Sequence, residues 1–344
     1  MKPFYLFLTL FICFCIQIKT EAQALFPVDI NGKWGYINNR GTLLIKPTFK
    51  NAGAFSDSMA LVIKDGKICY INSSGEIVIT TTYEAANPFY EGMAAVQIEG
   101  KWGFINKKGE PVIEPQYYMV SKFSDGLCRI KQTPTMLDKW GYVNKKGEWV
   151  IDTKFEKAAD FSEGLALVGN ENGMYGYIDF KGSTVIAPKF NYKGIKKLGG
   201  METFPVGEFG EGLAAITHGK KFGYINKEGI IKIDTLFDFA GKFSEGLAPV
   251  SQKGKYGFID KTGKVIIPLV YDDANIFSEG LALVKSKGKY GFINAGGTMV
   301  INPQFSEIMS VIPSTFKYGI LLVFFDLNKW GYIDKTGKII WKKE

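Results

Sequence analysis

Seven carboxylates recur at one slot of this chain: Asp57, Glu91, Asp125, Glu163, Glu211, Glu245 and Glu279. Two carboxyl groups flanking a sugar linkage suffice for glycoside hydrolysis, so a polysaccharide-processing site is the first chemistry to weigh. The regularity argues against it. A catalytic pair is unique, whereas a residue repeated at one slot belongs to the construction of the unit. These acids are expected to accept hydrogen bonds from turn amides, or to pair with the lysine of a neighbouring "KWG". The acids off that register, Asp138, Asp160 and Asp326, fall in linkers and turns. His218 is the single histidine, in a "THGKK" stretch, and no GxSxG is present. A serine nucleophile therefore has no base and no visible orienting partner. No CxxC or histidine cluster offers a metal-ligand set, and the "GKWG" glycines lack the GK[ST] and following helix of a phosphate loop. The expectation is a chain that is not an enzyme, with no catalytic, cofactor-binding or metal-ligating residues and no cofactor.

A second chemistry comes from aromatic rings and lysines. The aromatic of "KWGYI" recurs as Trp34, Trp102, Trp140, Tyr175, Phe222, Tyr256, Tyr290 and Trp330. Exposed rings at such spacing could stack on sugars. The slot also accepts Phe, always beside Gly, so ring area matters more than a polar handle. The slot is read as a packing unit, with stacking the alternative. Lysines at the hairpin tips (Lys107, Lys108, Lys145, Lys146, Lys227, Lys261, Lys335) would line one edge if the units stack in register. Such a rim could meet anionic glycans or other envelope polymers, or serve only as a solvated face that discourages edge pairing.

The elements that carry these residues follow from a repeat. The register aromatic recurs nine times, with Ile68 the degenerate copy, and the basic period is 34 residues. Each unit opens on the "KWGYI" strand, with Gly after the aromatic in all but the second unit, where Cys69 stands. A turn follows, "NNRG" to "DKTG", with Asn or Asp first and Gly fourth in nine of nine units. The acid or amide caps a type I turn and Gly takes the left-handed position, a hairpin with a G1 bulge. A second strand, as in "KVIIP", runs toward an aromatic eight residues past the glycine. Pro47, Pro115, Pro188 and Pro303 precede that aromatic and are expected to end the strand. The third segment, "FSEGLALV", carries an apolar stretch that reads as a strand buried on both faces.

Composition agrees with many short strands and tight turns: 46% hydrophobic, 15% aromatic, and 40 glycines in 344 residues. Lys2, an apolar run over residues 4–18 and "AQA" at Ala22, Gln23 and Ala24 have the form of a signal peptide. Residues 1–24 are assigned to it, with no transmembrane helix after cleavage. "LFPV" at residues 25–28 aligns with "LAPV" at residues 247–250, which supports cleavage after Ala24 independently. Cys69 and Cys128 then remain. They occupy strand slots suited to small buried residues and are not read as a bridge.

The fold class is all-β. Residues 25–344 form a single array of nine tandem three-stranded units of about 34 residues, with insertions at 191–208 and 306–314. Insertions in a repeat array go to loops on one face. Two architectures fit. An open, curved or superhelical array is favoured, because nine blades exceed the usual range of about 4–8 and three strands fall short of about four. The alternative is a closed propeller-like ring in which "LFPV" completes the last unit.

"KWGYIDKTGK" at residues 329–338, together with "FSEGLA", resembles the WG (KWG) repeat family of bacterial proteins. The resemblance covers nearly all of residues 25–344 and implies a β-rich, often exported repeat protein. It brings no catalytic motif. The functional expectation is an exported, non-catalytic scaffold that binds protein or anionic glycan partners in the periplasm or at the cell surface. The alternatives are a cell-wall or polysaccharide-processing enzyme or its inhibitor, and a purely structural module. Export makes nucleic acid an unsuitable partner despite the +8 formal charge.

Overall fold

The computed structural model describes residues 24–135, 139–191, 207–305, 315–326 and 329–343. Residues 1–23, read from the sequence as part of a signal peptide, residues 192–206 and 306–314 of the two insertions, and Asp138 lie outside the described residues.

Strands β1 (Phe26–Ile30), β2 (Lys33–Ile37) and β3 (Leu43–Phe49) form one antiparallel sheet in that order. The next sheet is β4 (Asn51–Ala52), β5 (Ala60–Lys64), β6 (Lys67–Ile71) and β7 (Ile77–Thr80), again in chain order. Nine such sheets succeed one another among the described residues, six with four strands and three with three. The three-stranded unit is thus corrected in six of nine cases. The added strand is mostly two residues long, as in β4, too short to show a period. We number the sheets as blades one to nine.

Both faces of each blade are buried, which is why "LALV" (Leu281, Ala282, Leu283, Val284) shows no apolar–polar alternation. The buried side chains gather into nine clusters. Each cluster draws on two successive blades: Tyr36 and Ile45 of blade one meet Ala60 and Ile71 of blade two, for example. An open array of nine blades has eight such junctions. The ninth cluster joins Val28 and Ile37 of blade one to Ile320 and Tyr332 of blade nine.

The bonds at this last junction repeat those at the others. The tyrosine hydroxyl of "KWGY" donates to a backbone carbonyl of the following blade: Tyr36 to Gly53 at 2.9 Å, Tyr142 to Ala159 at 2.7 Å, Tyr224 to Gly241 at 2.8 Å. Tyr332 donates to Pro27 at 3.0 Å, across 305 residues of sequence. Trp34 stacks on Trp330 with centroids 5.7 Å apart, and the Lys343 Nζ reaches the Asp29 carboxylate. The molecule is a closed nine-bladed propeller, and the expected open superhelical array is incorrect. The preference for four to eight blades is overridden because the last junction makes the same tyrosine bond and apolar contacts as the internal ones. Closure does not use "LFPV" in the last sheet. Those residues pair with β2 in their own blade, Val28 opposite Gly35, and no strand pairing among the described residues crosses the seam.

The glycine after the slot aromatic is fixed by a close approach. A Cβ built on Gly35 lies 2.4 Å from the Ile45 carbonyl oxygen, and one on Gly257 lies 2.5 Å from that of Ile267. The cause is a bulge in the third strand. Tyr36 pairs with Ile45 and Trp34 with Phe49, so four residues span what two span on β2. Pro47 sits in this bulge, where no ladder donor is needed. The strand continues through it to Phe49, so the expectation that proline ends the strand is corrected. Blade two has Cys69 in place of glycine and lacks this second bulge: Cys69 pairs directly with Thr80.

Candidate functional site

The repeated acids sit in two-residue turns that precede the "LALV" strands. Asp57, Glu91, Asp125, Glu163, Glu211, Glu245 and Glu279 all have φ between 51° and 55°. A side chain with a Cβ in the left-handed region costs about 1 kcal/mol, so seven copies of the same departure need a compensating bond. The bond is to the next blade. Glu91 accepts from the Gly126 N–H at 3.0 Å, Asp125 from Gly164 at 3.0 Å, and Glu245 from Gly280 at 2.9 Å. Glu163 takes two amides, Glu211 at 2.6 Å and Gly212 at 3.0 Å. The preceding serine adds a second tie: Ser124 donates to the Phe161 carbonyl at 2.8 Å and Ser244 to Phe277 at 2.8 Å.

The hairpin lysines close the arrangement. Lys107 lies 2.7 Å from Asp57, Lys145 3.1 Å from Glu91, Lys227 3.3 Å from Glu163, Lys261 2.9 Å from Glu211 and Lys335 3.4 Å from Glu279. Each pair joins a turn to the hairpin of the following blade. The acids do not pair with the "KWG" lysines. Of those, Lys139, Lys221 and Lys255 instead pair with Glu156, Asp238 and Asp272, each in the link from its blade to the next. Lys108 and Lys146, at the neighbouring tip position, are exposed. The rim is therefore a ring of ion pairs with free lysines interspersed. Where the tip residue is Phe180 or Ala295, Asp125 and Glu245 keep only the amide among the described contacts.

These contacts set the acids' titration. The Lys261 ammonium holds the Glu211 carboxyl below its usual range, outweighing the effect of burial, and the Gly246 amide assists. For Asp57 and Glu163, burial pushes the other way, but the lysine and amide bonds outweigh it. A depressed folded pKa contributes stability above the unfolded value, which is lost as pH falls through the folded one. The unfolding midpoint is expected to be flat above pH ~5 and to fall as pH drops below ~4, the ordinary carboxyl range. The triple variant D57N/E163Q/E211Q should flatten that acid limb. An unchanged acid limb in a thermal melt series would refute this account.

The slot aromatics face neighbours. Seven are half-buried, and Phe222 is 3% exposed. Trp140 lies under the Arg129 guanidinium, 4.8 Å from the ring centroid, with the Lys131 ammonium at 5.4 Å. Lys285 covers Tyr290 at 5.2 Å. Trp102 and Tyr256 pack respectively against the blade three/four core and Phe239. In residues 25–344 with Trp149 and Trp341 changed to Phe, acrylamide should quench the four slot tryptophans severalfold less than free indole until unfolding. Native quenching equal to free tryptophan would reopen the stacking reading.

Other candidates fall apart in space. His218 is exposed at a strand end. Asp160 binds Arg129 at 2.8 Å and thereby serves the blade four/five junction. Cys69 and Cys128 are buried free thiols in blades two and four, and burial pushes Cys128 up to about 12. No group of three or more potential metal ligands exists among the described residues. No helix among them is long and apolar enough to cross a membrane. Sequence reasoning missed the acid–lysine pairs. Their signal is an acid whose unit is followed by "NK" or "DK" at the next hairpin.

The model of the WG containing repeat matches residues 34–67, 70–102, 102–133, 140–173, 222–256, 256–290 and 290–323, well over half of the chain. This chain belongs to the WG-repeat family. No curated protein matches its sequence. Among solved structures it is similar to a crystal structure of the eukaryotic initiation factor, at 11% identity and a TM-score of 0.64, over 93% of this chain and 96% of that one. BamB from Moraxella catarrhalis is more distant, at 12% identity and a TM-score of 0.39, over 92% and 90% of the two chains. Apo AztD from Citrobacter koseri stands at 16% and 0.41, over 80% and 93%. The first likeness concerns fold alone and agrees with the propeller ring in place of the open array. The WG-repeat match breaks between residues 173 and 222, which include the 191–208 insertion.

Proposed function

We propose that this WG-repeat ring is an exported, non-catalytic scaffold that binds protein or anionic glycan partners in the bacterial envelope. The observation that carries the reading is the employment of the repeated acids: each accepts an amide of the next blade, and five also hold a lysine. Carboxylates so occupied are poor general acids or bases. The residues free to meet partners are those outside the repeat bonds, such as Lys108, Lys146 and the exposed outer strands. The leader pattern over residues 1–24 is the basis for placing the ring outside the cytoplasm.

The test uses the processed chain, residues 25–344, immobilised and probed with anionic polysaccharides and with an envelope protein extract. The expected result is retention of one class, with its mass unchanged after long incubation. Shortening of a polysaccharide would overturn the non-catalytic assignment. Retention of neither class would overturn the binding role.

A further inference from the structure

The outer strand of each blade pairs on one side only, so its other side offers unmet N–H and C=O groups to any extended chain. Eight of the nine blades guard that edge. Within the outer strand itself, five carry a proline, the first Pro47 and the last Pro303, and the other three a charge: Asp152, Asp234 and Lys342. Seven also bend the strand with the second bulge. Proline, charge and bulging are the devices that keep sheet edges from pairing.

Blade two lacks all three. Its edge, residues 77–83, reads "IVITTTY", with no proline and no charge between the flanking Glu76 and Glu84. Cys69 replaces the slot glycine, the second bulge is absent, and β7 pairs straight along β6 to Thr80. Ile77 and Val78 are 39% and 47% exposed. Thr80 and Thr82 are exposed while Ile79 and Thr81 are buried, the alternation of a flat, half-solvated strand. The loss of glycine, bulge, proline and charge in one blade is concerted, and the other eight blades are its internal control.

We propose that this edge of blade two is a docking site for an extended, proline-free segment of a partner protein, which adds as a further antiparallel strand beside β7. The proposal rests on the binding role above and names the class of partner. Main-chain bonds supply the attraction, and β-branched side chains on the incoming strand suit Ile77 and Val78. A second copy of the ring is the less suitable occupant. A strand this short meeting its own copy buries much less than the ~1,200 Å² of a stable specific interface. An extended peptide needs only the unmet main-chain groups along this edge.

The probe is a fluorescein-labelled peptide of sequence EIVITTTYE, copied from residues 76–84, titrated by anisotropy into the processed chain. The control is the double variant V78K/T80D. It borrows Lys232 and Asp234 from the matching positions of blade six, so the ring has a precedent for both residues. The expected result is saturable binding, at least tenfold weaker in V78K/T80D, with amide exchange slowed at residues 77–82 of the ring. Equal binding to both proteins, or to neither while both melt alike, overturns the proposal. Self-association of the unvaried ring that V78K/T80D abolishes also overturns it, assigning the edge to a second copy. An envelope ligand held equally by both proteins, with no peptide binding, removes this site and leaves the wider binding role standing.

Discussion

Gly257→Ala will destabilise the ring by about 3 kcal/mol, the upper part of the usual cost of overpacking. The added methyl would lie 2.5 Å from the Ile267 carbonyl oxygen and 2.7 Å from the Pro268 carbonyl. These are backbone atoms in a bulge, so no side chain can swing aside. To accommodate the methyl, the outer strand must lose its bulge and with it the Tyr256–Tyr271 pairing. The comparison is Gly254→Ala, in the preceding turn. Gly254 has φ +74° and nothing within 4 Å of its built Cβ, so its cost is left-handed backbone strain alone, about 1 kcal/mol. Equilibrium denaturation of the two variants separates the mechanisms. Equal losses would refute the close-approach account.

Trp330→Ala will cost about 3–5 kcal/mol, as for other large aromatic truncations, and at least as much as Trp102→Ala. Trp330 belongs to the last blade, yet it stacks on Trp34 of the first and packs on Trp341 with centroids 4.9 Å apart. In a chain whose ends did not meet, a residue in the terminal unit would lose little by truncation. Trp102 lies between blades three and four and gives the reference for an internal junction. Urea midpoints of both variants decide the matter. A loss for Trp330→Ala well below that for Trp102→Ala would mean that the seam contributes little to holding the ring shut.

Local chemistry made much of this structure readable from sequence. The Asn38 side chain accepts the Arg40 and Thr42 amides at 2.9 Å each, and Gly41 has φ 81°. A turn capped within five residues leaves its mark in five letters. The double burial of "LALV" is likewise visible in its composition. Closure was not legible, because Tyr332 and Pro27 share no motif and the seam uses a β1 carbonyl where other junctions use one near a short strand. The short strands themselves were invisible: Asn51–Ala52 carries no pattern. The acid slot was found but its partner misjudged. Asp57 and Lys107 are 50 positions apart, a separation that only the angle between blades brings to contact distance. For the slot aromatics, sequence located all eight, while Arg129 over Trp140 depends on a neighbouring strand whose pairing had to be seen.

Every blade is one uninterrupted stretch of chain, and this bears on how the molecule is made. Synthesis delivers residues N-terminus first, so each sheet can complete its ladders as soon as its own segment emerges. Tyrosine bonds spanning 17 residues, such as Tyr36 to Gly53, form within a growing stack at little loop-closure cost. A ring closed by strand exchange would leave its first strand unpaired until the last residue arrived. Here the nascent stack exposes only one apolar face at each end, and the sole long-range event is the final meeting of blades nine and one. Contact order is therefore low for an all-β chain of this length, and folding should proceed blade by blade with a late, separable closing step.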